Sequence, residues 1–240
     1  MKKEPKKLFE MVLVRHGQSL GNAGINESGT LRGSADSPLS ENGRLQAQLL
    51  GKRFSSYPFD CIISSGLVRA VETACLVASA QPENGAKTVH IDPLLTECGT
   101  EEEYEGYSFC ELSDMFKAVK PFIGVSEDDC MVIPSKTDDA EFNRSRAKAF
   151  MKKLYSEFRN GERIMVTAHG VFNTELLLEL LGLDADRQLL DPDFRNTSVT
   201  HFTFYEEGTG PYGFDISLTC LNNIDHLRDA FPQMFFENKI

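Results

Sequence analysis

Short apolar runs alternate with longer amphipathic segments along most of the chain. Three runs are apolar throughout and only a few residues long, as is typical of strands buried on both faces of a parallel sheet; they cover 11–15, 60–64 and 163–167. Between these runs, apolar residues recur at helical spacing over 67–78 and 147–158. Ser40 is a suitable N-cap for another helix, which we expect to end near Phe54. The alternation predicts a mostly parallel sheet covered by helices.

The final third of the chain changes from a helical pattern to strand patterns. Residues 171–181 are apolar on nearly all sides, which predicts a well-buried helix. An alternating run over 198–205 is followed by turn residues at 208–213 and by a second strand pattern over 215–221. Together these patterns predict one α/β domain over residues 1–240, with three α/β/α layers, a mostly parallel sheet, helices on both faces and a C-terminal β-hairpin.

One long segment, 98–140, interrupts this alternation. It contains no clear strand pattern, and its acidic residues cluster between 101 and 105. Loop-rich segments of this length inside a compact domain are usually functional lids or disordered segments. We predict that 98–140 is a lid or cap inserted over the functional site.

The negative net charge of the chain argues against nucleic acid as a partner. Lys and Arg number 25 and Asp and Glu number 36, so the net charge is −11 and the protein would repel nucleic-acid phosphates. No run approaches the ~18 consecutive apolar residues of a membrane span, and no apolar signal core follows the basic start. The six cysteines lack the spacing of a disulfide framework. We therefore expect a cytoplasmic protein without nucleic-acid or membrane partners, and the oligomeric state stays open.

The candidate chemistry begins directly after the first strand pattern, at Arg15, His16 and Gly17. Ligands of open α/β sheets bind beyond the carboxyl ends of the strands, where these residues fall. An unpaired arginine is costly to bury, but its planar guanidinium matches phosphate oxygens. Gly17 lets the backbone turn tightly and approach a ligand closely. The pattern indicates a site for an anion such as phosphate.

Three further elements place polar residues at the same edge of the predicted sheet. Arg69 falls in the first turn of the helix after the second strand, where a helix N-terminus favours anions. His169 and Gly170 follow a later strand in the same order as the histidine and glycine after the first. Glu97 closes a short strand-like stretch that begins near Thr88. Two arginines, two histidines and one glutamate therefore come from four strand ends.

With these residues in place, the chain resembles the histidine phosphatase superfamily, in its phosphoglycerate-mutase-like branch. The matching pieces stand in the family's order and span nearly the whole chain. They are VRHGQSLGN (14–22), RGSADSPLSENG (32–43), SSGLVRAVETA (64–74), LLTE (94–97), TAHG (167–170), FRNTSV (194–199) and LNNIDHL (221–227). The R-H-G piece is moderately specific by itself, and the combination is highly specific.

The resemblance implies a role for each matching residue. His16 would be the nucleophile that forms a phosphohistidine, and Glu97 would protonate the leaving oxygen. The residues that would hold the phosphate are Arg15, His16, Gly17, Asn22, Arg69, His169 and Gly170. With His169 protonated beside the two arginines, the charge on the equatorial phosphate oxygens would be stabilised electrostatically. We therefore expect neither a metal nor a cofactor.

The family pattern is incomplete after Glu97. Family members commonly continue with Phe-Gly and then aromatic-Glu-Gly, whereas Cys98 and Gly99 follow here and only residues 104–106 match the later piece. Glu97 is the first choice for the proton donor, and Glu101 and Glu105 stay as alternatives.

Within the family, the choice lies between hydrolysis and mutase-type phosphoryl transfer. The E-R-H-Y-G piece of the mutases is absent, and acidic residues stand in its place, where they would repel a second phosphate. A cysteine nucleophile is excluded because no cysteine is followed by five residues and then arginine. We predict a phosphatase that acts on a small-molecule phosphomonoester. The alternatives are mutase-type transfer and, from another class, a non-catalytic sensor of a phosphate ligand.

Overall fold

The computed structural model describes residues 4–24, 36–99, 106–131, 139–183 and 192–236. Within these residues, seven strands form one sheet. The strands are β1 (Lys7–Arg15), β2 (Cys61–Ser64), β3 (Val89–Ile91), β4 (Val119–Pro121), β5 (Glu162–Ala168), β6 (Val199–Tyr205) and β7 (Ile216–Asn223). The helices of the same residues are α1 (Glu41–Arg53), α2 (Val68–Ala80), α3 (Phe109–Met115), α4 (Ala140–Glu157), α5 (Gly170–Leu180) and α6 (Gln233–Phe236).

The sheet is mostly parallel, with the strand order β4-β3-β2-β5-β1-β6-β7. The strands from β4 to β1 run parallel to their neighbours. β6 is antiparallel to β1 and forms the predicted C-terminal hairpin with β7. The register pairs Arg15 of β1 with Ala168 of β5, so these two neighbouring strands end at the same level. The residues that follow them therefore emerge side by side.

Helices cover both faces of the sheet because alternate residues of each strand point to opposite sides. Met11 and Leu13 of β1 pack with α4 and α5, whereas Val12 and Val14 pack with α1 and α2. These four side chains are at most 2% exposed, and burying each contributes about 1.5–3 kcal/mol. The predicted three-layer α/β/α architecture is confirmed. None of the helices described is long and apolar enough to cross a membrane.

Local signals explain several element boundaries. Ser40 caps α1 as predicted, and its Oγ accepts a hydrogen bond from Gly43 N at 3.1 Å. The predicted helix over 147–158 begins earlier, at Ala140, because Asp139 caps it and accepts a hydrogen bond from Phe142 N. Helix capping therefore fixes the start of an element more closely than the apolar period does.

The expectation that 98–140 contains no strand is wrong. β4 lies within it and extends the parallel sheet beside β3. β4 is three residues long, with Val119 as its buried residue, and so short a strand shows no period of two. α3 also lies in this segment and begins after a capping box formed by Ser108 and Glu111.

The described part of 98–140 packs against the start of α2. Val68 and Val71 of α2 form an apolar cluster with Leu112 of α3. A Cβ at Gly66 would lie 2.9 Å from Met131 Sδ, so the backbone of the β2–α2 turn is in close contact with that side chain. The segment thus contacts the turn that leads to Arg69, and its role as a lid stays a prediction.

Candidate active site

The two histidines of the sequence pattern lie next to each other at the carboxyl ends of β1 and β5. His16 N donates to Ala168 O at 3.0 Å, which continues the pairing of the strands by one residue. The ring centroids of His16 and His169 are 5.1 Å apart, with 57° between the ring planes. The side chains are almost fully buried, with His16 3% and His169 0% exposed. The parallel register thus joins residues separated by most of the chain.

Two hydrogen bonds define the tautomer of His16. Its Nδ1 lies 2.6 Å from Gly17 O, and because a carbonyl only accepts, Nδ1 carries the proton. Nε2 accepts a hydrogen bond from Arg69 Nε at 3.2 Å. The neutral ring therefore presents the lone pair of Nε2 toward the guanidinium, which is the form that a nucleophilic imidazole requires.

His169 is held by a different partner. Its Nε2 lies 2.8 Å from Ser65 Oγ, which also accepts a hydrogen bond from Leu67 N at 3.3 Å. Its Nδ1 is buried and has no hydrogen-bond partner among the residues that the structure describes. An unsatisfied buried ring nitrogen is costly unless a ligand supplies its partner. Because Ser65 Oγ already accepts from Leu67 N, its own proton can go to His169 Nε2, which leaves the proton of the neutral ring on Nδ1, where it can be donated to a bound anion.

Arg69, the second residue of α2, is held both through its side chain and through its backbone carbonyl. Its Nη1 lies 3.9 Å from Oδ1 of the buried Asp36, and the same oxygen accepts from Val68 N at 2.7 Å. Thr73 Oγ1 donates to Arg69 O at 2.7 Å and accepts from Gly17 N at 3.0 Å. The start of α2 is thereby tied to the backbone that follows His16.

Arg15 reaches the same region from the opposite face of the sheet. Its Nη1 donates to Phe194 O. A Cβ at Gly170 would lie 3.4 Å from Arg15 Cζ, so the guanidinium packs directly against the backbone that begins α5. This contact places Arg15 next to the residue that follows His169.

The loop after His16 is packed tightly against the start of α1. A Cβ at Gly17 would lie 2.6 Å from Gly43 O, and a Cβ at Gly43 would lie 2.0 Å from Gln18 O. Both positions therefore exclude any side chain. Asn22 stands farther out, where its Oδ1 accepts from Ser19 N and from Asn196 Nδ2, each at 3.3 Å.

Glu97 is held at the N-terminus of α5. It does not close a strand, because β3 ends at Ile91 and a 3₁₀ turn over Pro93–Leu95 intervenes. Its carboxylate accepts from Phe172 N at 3.0 Å and from Cys98 N at 2.9 Å. α5 begins directly after His169, so the carboxyl group belongs to the same edge. The alternatives Glu101 and Glu105 lie outside the described residues.

Known proteins resemble this chain over most of its length. The family model for the histidine phosphatase superfamily (branch 1) matches residues 11–212. The chain belongs to this superfamily. A probable phosphoglycerate mutase GpmB from Yersinia enterocolitica is 32% identical over 203 residues, covering 83% of this chain and 86% of that protein.

Solved structures share the fold of this chain. A phosphoserine phosphatase from Entamoeba histolytica, in complex with 3-phosphoglyceric acid, is 25% identical with a TM-score of 0.55, covering 91% of this chain and 99% of that one. A mycobacterial glucosyl-3-phosphoglycerate phosphatase is 22% identical with a TM-score of 0.60, covering 89% and 99%. The second likeness concerns the fold alone.

Burial and nearby positive charges keep both histidines of this superfamily member neutral. Burial, and then the positive charges of Arg69 and Arg15, hold the pKa of His16 well below its usual value. Burial and the Arg69 charge do the same for the pKa of His169. The expectation of a protonated His169 is therefore wrong for the protein by itself, because the surrounding cations oppose a third positive charge.

The low pKa values predict a loss of stability in acid. The unfolded chain binds protons at both histidines below their ordinary pKa of about 6.5, whereas the folded chain does not, so stability is present above that pH and is lost as pH falls. Burial raises the pKa of Asp36 to about 6, so in this range the folded chain binds a proton there that the unfolded chain does not. This proton partly offsets the loss of stability. Burial, and then the charge of Arg53, lower the pKa of His226 to about 4, so this ring adds a third proton to the unfolded chain. With three protons against one, we expect a net loss of about 2 to 3 kcal/mol per pH unit between pH 6 and 5.

Thermal unfolding in buffers without phosphate measures this effect. The double variant His16→Asn/His169→Asn keeps side chains of similar polarity that do not titrate, so its melting temperature should vary much less between pH 7 and 5. Equal pH dependence of the two proteins would contradict the expectation.

Two residues of this superfamily site were not identified as functional from the sequence. Ser65 lies in a matching piece but carried no expected role, and its contact with His169 depends on the pairing of β2 with β5. Asp36 also lies in a matching piece without an expected role, and its buried carboxylate lies beside Arg69. Both act on residues distant in sequence. Ser65 directly follows β2 at the ligand-binding edge of the sheet, and this position is the signal that could have indicated it, whereas Asp36 offers no such signal.

Proposed function

We propose that the protein is a phosphatase that hydrolyses a small-molecule phosphomonoester through a phosphohistidine at His16. The observation that carries the proposal is the paired histidine site: His16 Nε2 accepts from Arg69 Nε at 3.2 Å while Nδ1 is held by Gly17 O. An imidazole held neutral beside a guanidinium that could bind phosphate is suited to phosphoryl transfer.

In the first step, the Nε2 lone pair of His16 attacks phosphorus. The Nε2–P bond forms and the bond from phosphorus to the ester oxygen breaks. Glu97 enters this step with its proton, which it transfers to the departing oxygen, so that the alcohol leaves neutral and Glu97 becomes a carboxylate. Transfer occurs with the entering and leaving atoms in line on opposite sides of phosphorus.

In the second step, water attacks phosphorus and gives a proton to the Glu97 carboxylate. The Nε2–P bond breaks and its electron pair returns to Nε2, so that His16, Glu97 and inorganic phosphate are restored. Throughout both steps, Arg15, Arg69 and His169 would hold the phosphate oxygens. The buried Nδ1 of His169 has no hydrogen-bond partner in the part of the chain that the structure describes, and an oxygen of the phosphate would supply one.

The charge of the protein supports hydrolysis over mutase-type transfer. A mutase must retain and rebind a bisphosphate, and a net charge of −11 gives no general attraction for a second phosphate. The relatives named probable phosphoglycerate mutase make mutase-type transfer the alternative that the test must distinguish. We further infer a cytoplasmic enzyme that requires no metal, and a lid over 98–140 that selects the leaving group.

Trapping the intermediate tests the proposal. Rapid quench with a ³²P-labelled phosphomonoester in the presence of chelator should yield an acid-labile, base-stable phosphoprotein, followed by release of labelled phosphate. Interconversion of 2- and 3-phosphoglycerate with little phosphate released would establish a mutase instead. Tight phosphate binding without turnover of a broad panel of phosphomonoesters would indicate the sensor.

A further inference from the structure

A buried arginine of α4 contacts the chain on the N-terminal side of Glu97. Arg146 Nη1 donates to Leu94 O and to Thr96 O, both at 2.9 Å. Asn143, one helical turn earlier, fixes the guanidinium by accepting from Nη2 at 2.6 Å and from Nε at 3.2 Å. Arg146 is only 3% exposed, so this contact lies inside the protein.

The same guanidinium also contacts two of the residues whose backbone N–H groups donate to the Glu97 carboxylate. Its Nη2 lies 3.7 Å from Cys98 Sγ, and its Cζ lies 5.1 Å from the centroid of the Phe172 ring. Cys98 N and Phe172 N are two of the backbone donors to Glu97. One side chain therefore touches the residues on both sides of Glu97 and the helix end on which its carboxylate rests.

We propose that Arg146 is a positioning residue that, together with Asn143, holds Glu97 in place for proton transfer to the leaving group. The inference rests on the proposed function, in which Glu97 is the proton donor. A planar guanidinium supplies several donors in a fixed arrangement, and it satisfies two carbonyls and one amide at the same time. A lysine ammonium at this position keeps the charge but loses the arrangement.

The chain offers a matched control on the same helix. Arg144 is also buried, and its Nε donates to Glu175 Oε2 at 3.0 Å while Nη1 donates to Leu183 O at 2.7 Å. These contacts join α4 to α5 and to the residues after it. Arg144→Lys therefore removes a buried arginine of comparable structural weight without touching Glu97.

Hydrogen exchange tests the positioning directly and requires no enzyme activity. Arg146→Lys should accelerate exchange of the Cys98 and Phe172 amides by about tenfold or more, because their acceptor is no longer held. Arg144→Lys should leave these two amides within about twofold of the wild type after correction for global stability. Unchanged exchange at both amides in Arg146→Lys would overturn the proposal, even if the wild type hydrolysed no ester.

The leaving-group dependence tests whether the positioned group is the acid. An alkyl phosphate needs a proton on its leaving oxygen, whereas p-nitrophenolate leaves readily without one. Arg146→Lys should lower kcat for the alkyl ester by about 30-fold and for p-nitrophenyl phosphate by at most about threefold. In a Glu97→Gln background it should cause no further selective loss, because the proton it positions is gone.

The outcomes separate this inference from the proposed function. Equal losses for both esters in Arg146→Lys would show a general structural role and overturn the inference while leaving the phosphatase intact. Inactivity of the wild type toward every phosphomonoester would remove the proposed function, and the exchange measurement would still decide whether Arg146 positions Glu97.

Discussion

His16→Asn will abolish the phosphoprotein and lower kcat by about 10⁴-fold or more. The asparagine Nδ2 can replace Nδ1 as donor to Gly17 O, which lies 2.6 Å from Nδ1, but the variant has no second ring nitrogen to attack phosphorus. Loss of the nucleophile in a covalent mechanism removes the whole pathway, and losses on the order of 10⁴ to 10⁶ are typical of such substitutions. Rapid quench and steady-state kinetics with the same ester measure both effects.

A matched histidine elsewhere separates chemistry from folding. His90 of β3 also has its Nδ1 near a carbonyl, Pro121 O at 3.3 Å, and it lies outside the proposed site. His90→Asn should therefore retain the phosphoprotein and most of the activity. A labelled phosphoprotein of normal amount in His16→Asn would place the nucleophile on another residue and require a different mechanism.

The parts of the fold that depend on local signals could be predicted from the sequence. The apolar runs of β1 and β5 predict buried parallel strands, and the Ser40 cap predicts the start of α1. The one or two residues after each strand then fall at the ligand-binding edge, because parallel strands end together. The two candidate histidines are therefore neighbours because β1 pairs with β5.

The parts that could not be predicted depend on contacts between distant segments. β4 is a three-residue edge strand and has no period of its own, so only its pairing with β3 defines it. The sequence pattern around Arg146 is that of an amphipathic helix and does not distinguish it from an exposed arginine. Its burial depends on contacts with the backbone around residues 94–96. The neutral state of His169 depends on its burial and then on the charge of Arg69, which lies on another helix.

Arg69→Met will lower kcat/KM by about 10³-fold and raise the pKa of both histidines. Methionine keeps the unbranched, flexible start of the arginine side chain but removes the guanidinium that donates to His16 Nε2 and would stabilise phosphate charge in the transition state. Arg69 is, after burial, the largest cause of the low pKa of His16 and of His169. NMR titration of the two imidazoles and kinetics on one ester measure the two effects on the same variant.

Arg69→Lys distinguishes charge from geometry in this result. Lysine restores the positive charge, so the pKa of each histidine should stay low, but a single ammonium cannot hold His16 Nε2 and the phosphate oxygens in the geometry of a planar guanidinium. We therefore expect the lysine variant to titrate like the wild type and to recover only part of the lost activity. Full recovery of kcat/KM by lysine would mean that Arg69 acts as a charge alone. Unchanged imidazole pKa values in Arg69→Met would contradict the electrostatic account of the neutral pair, since no other positive charge ranks as high among the causes of both shifts.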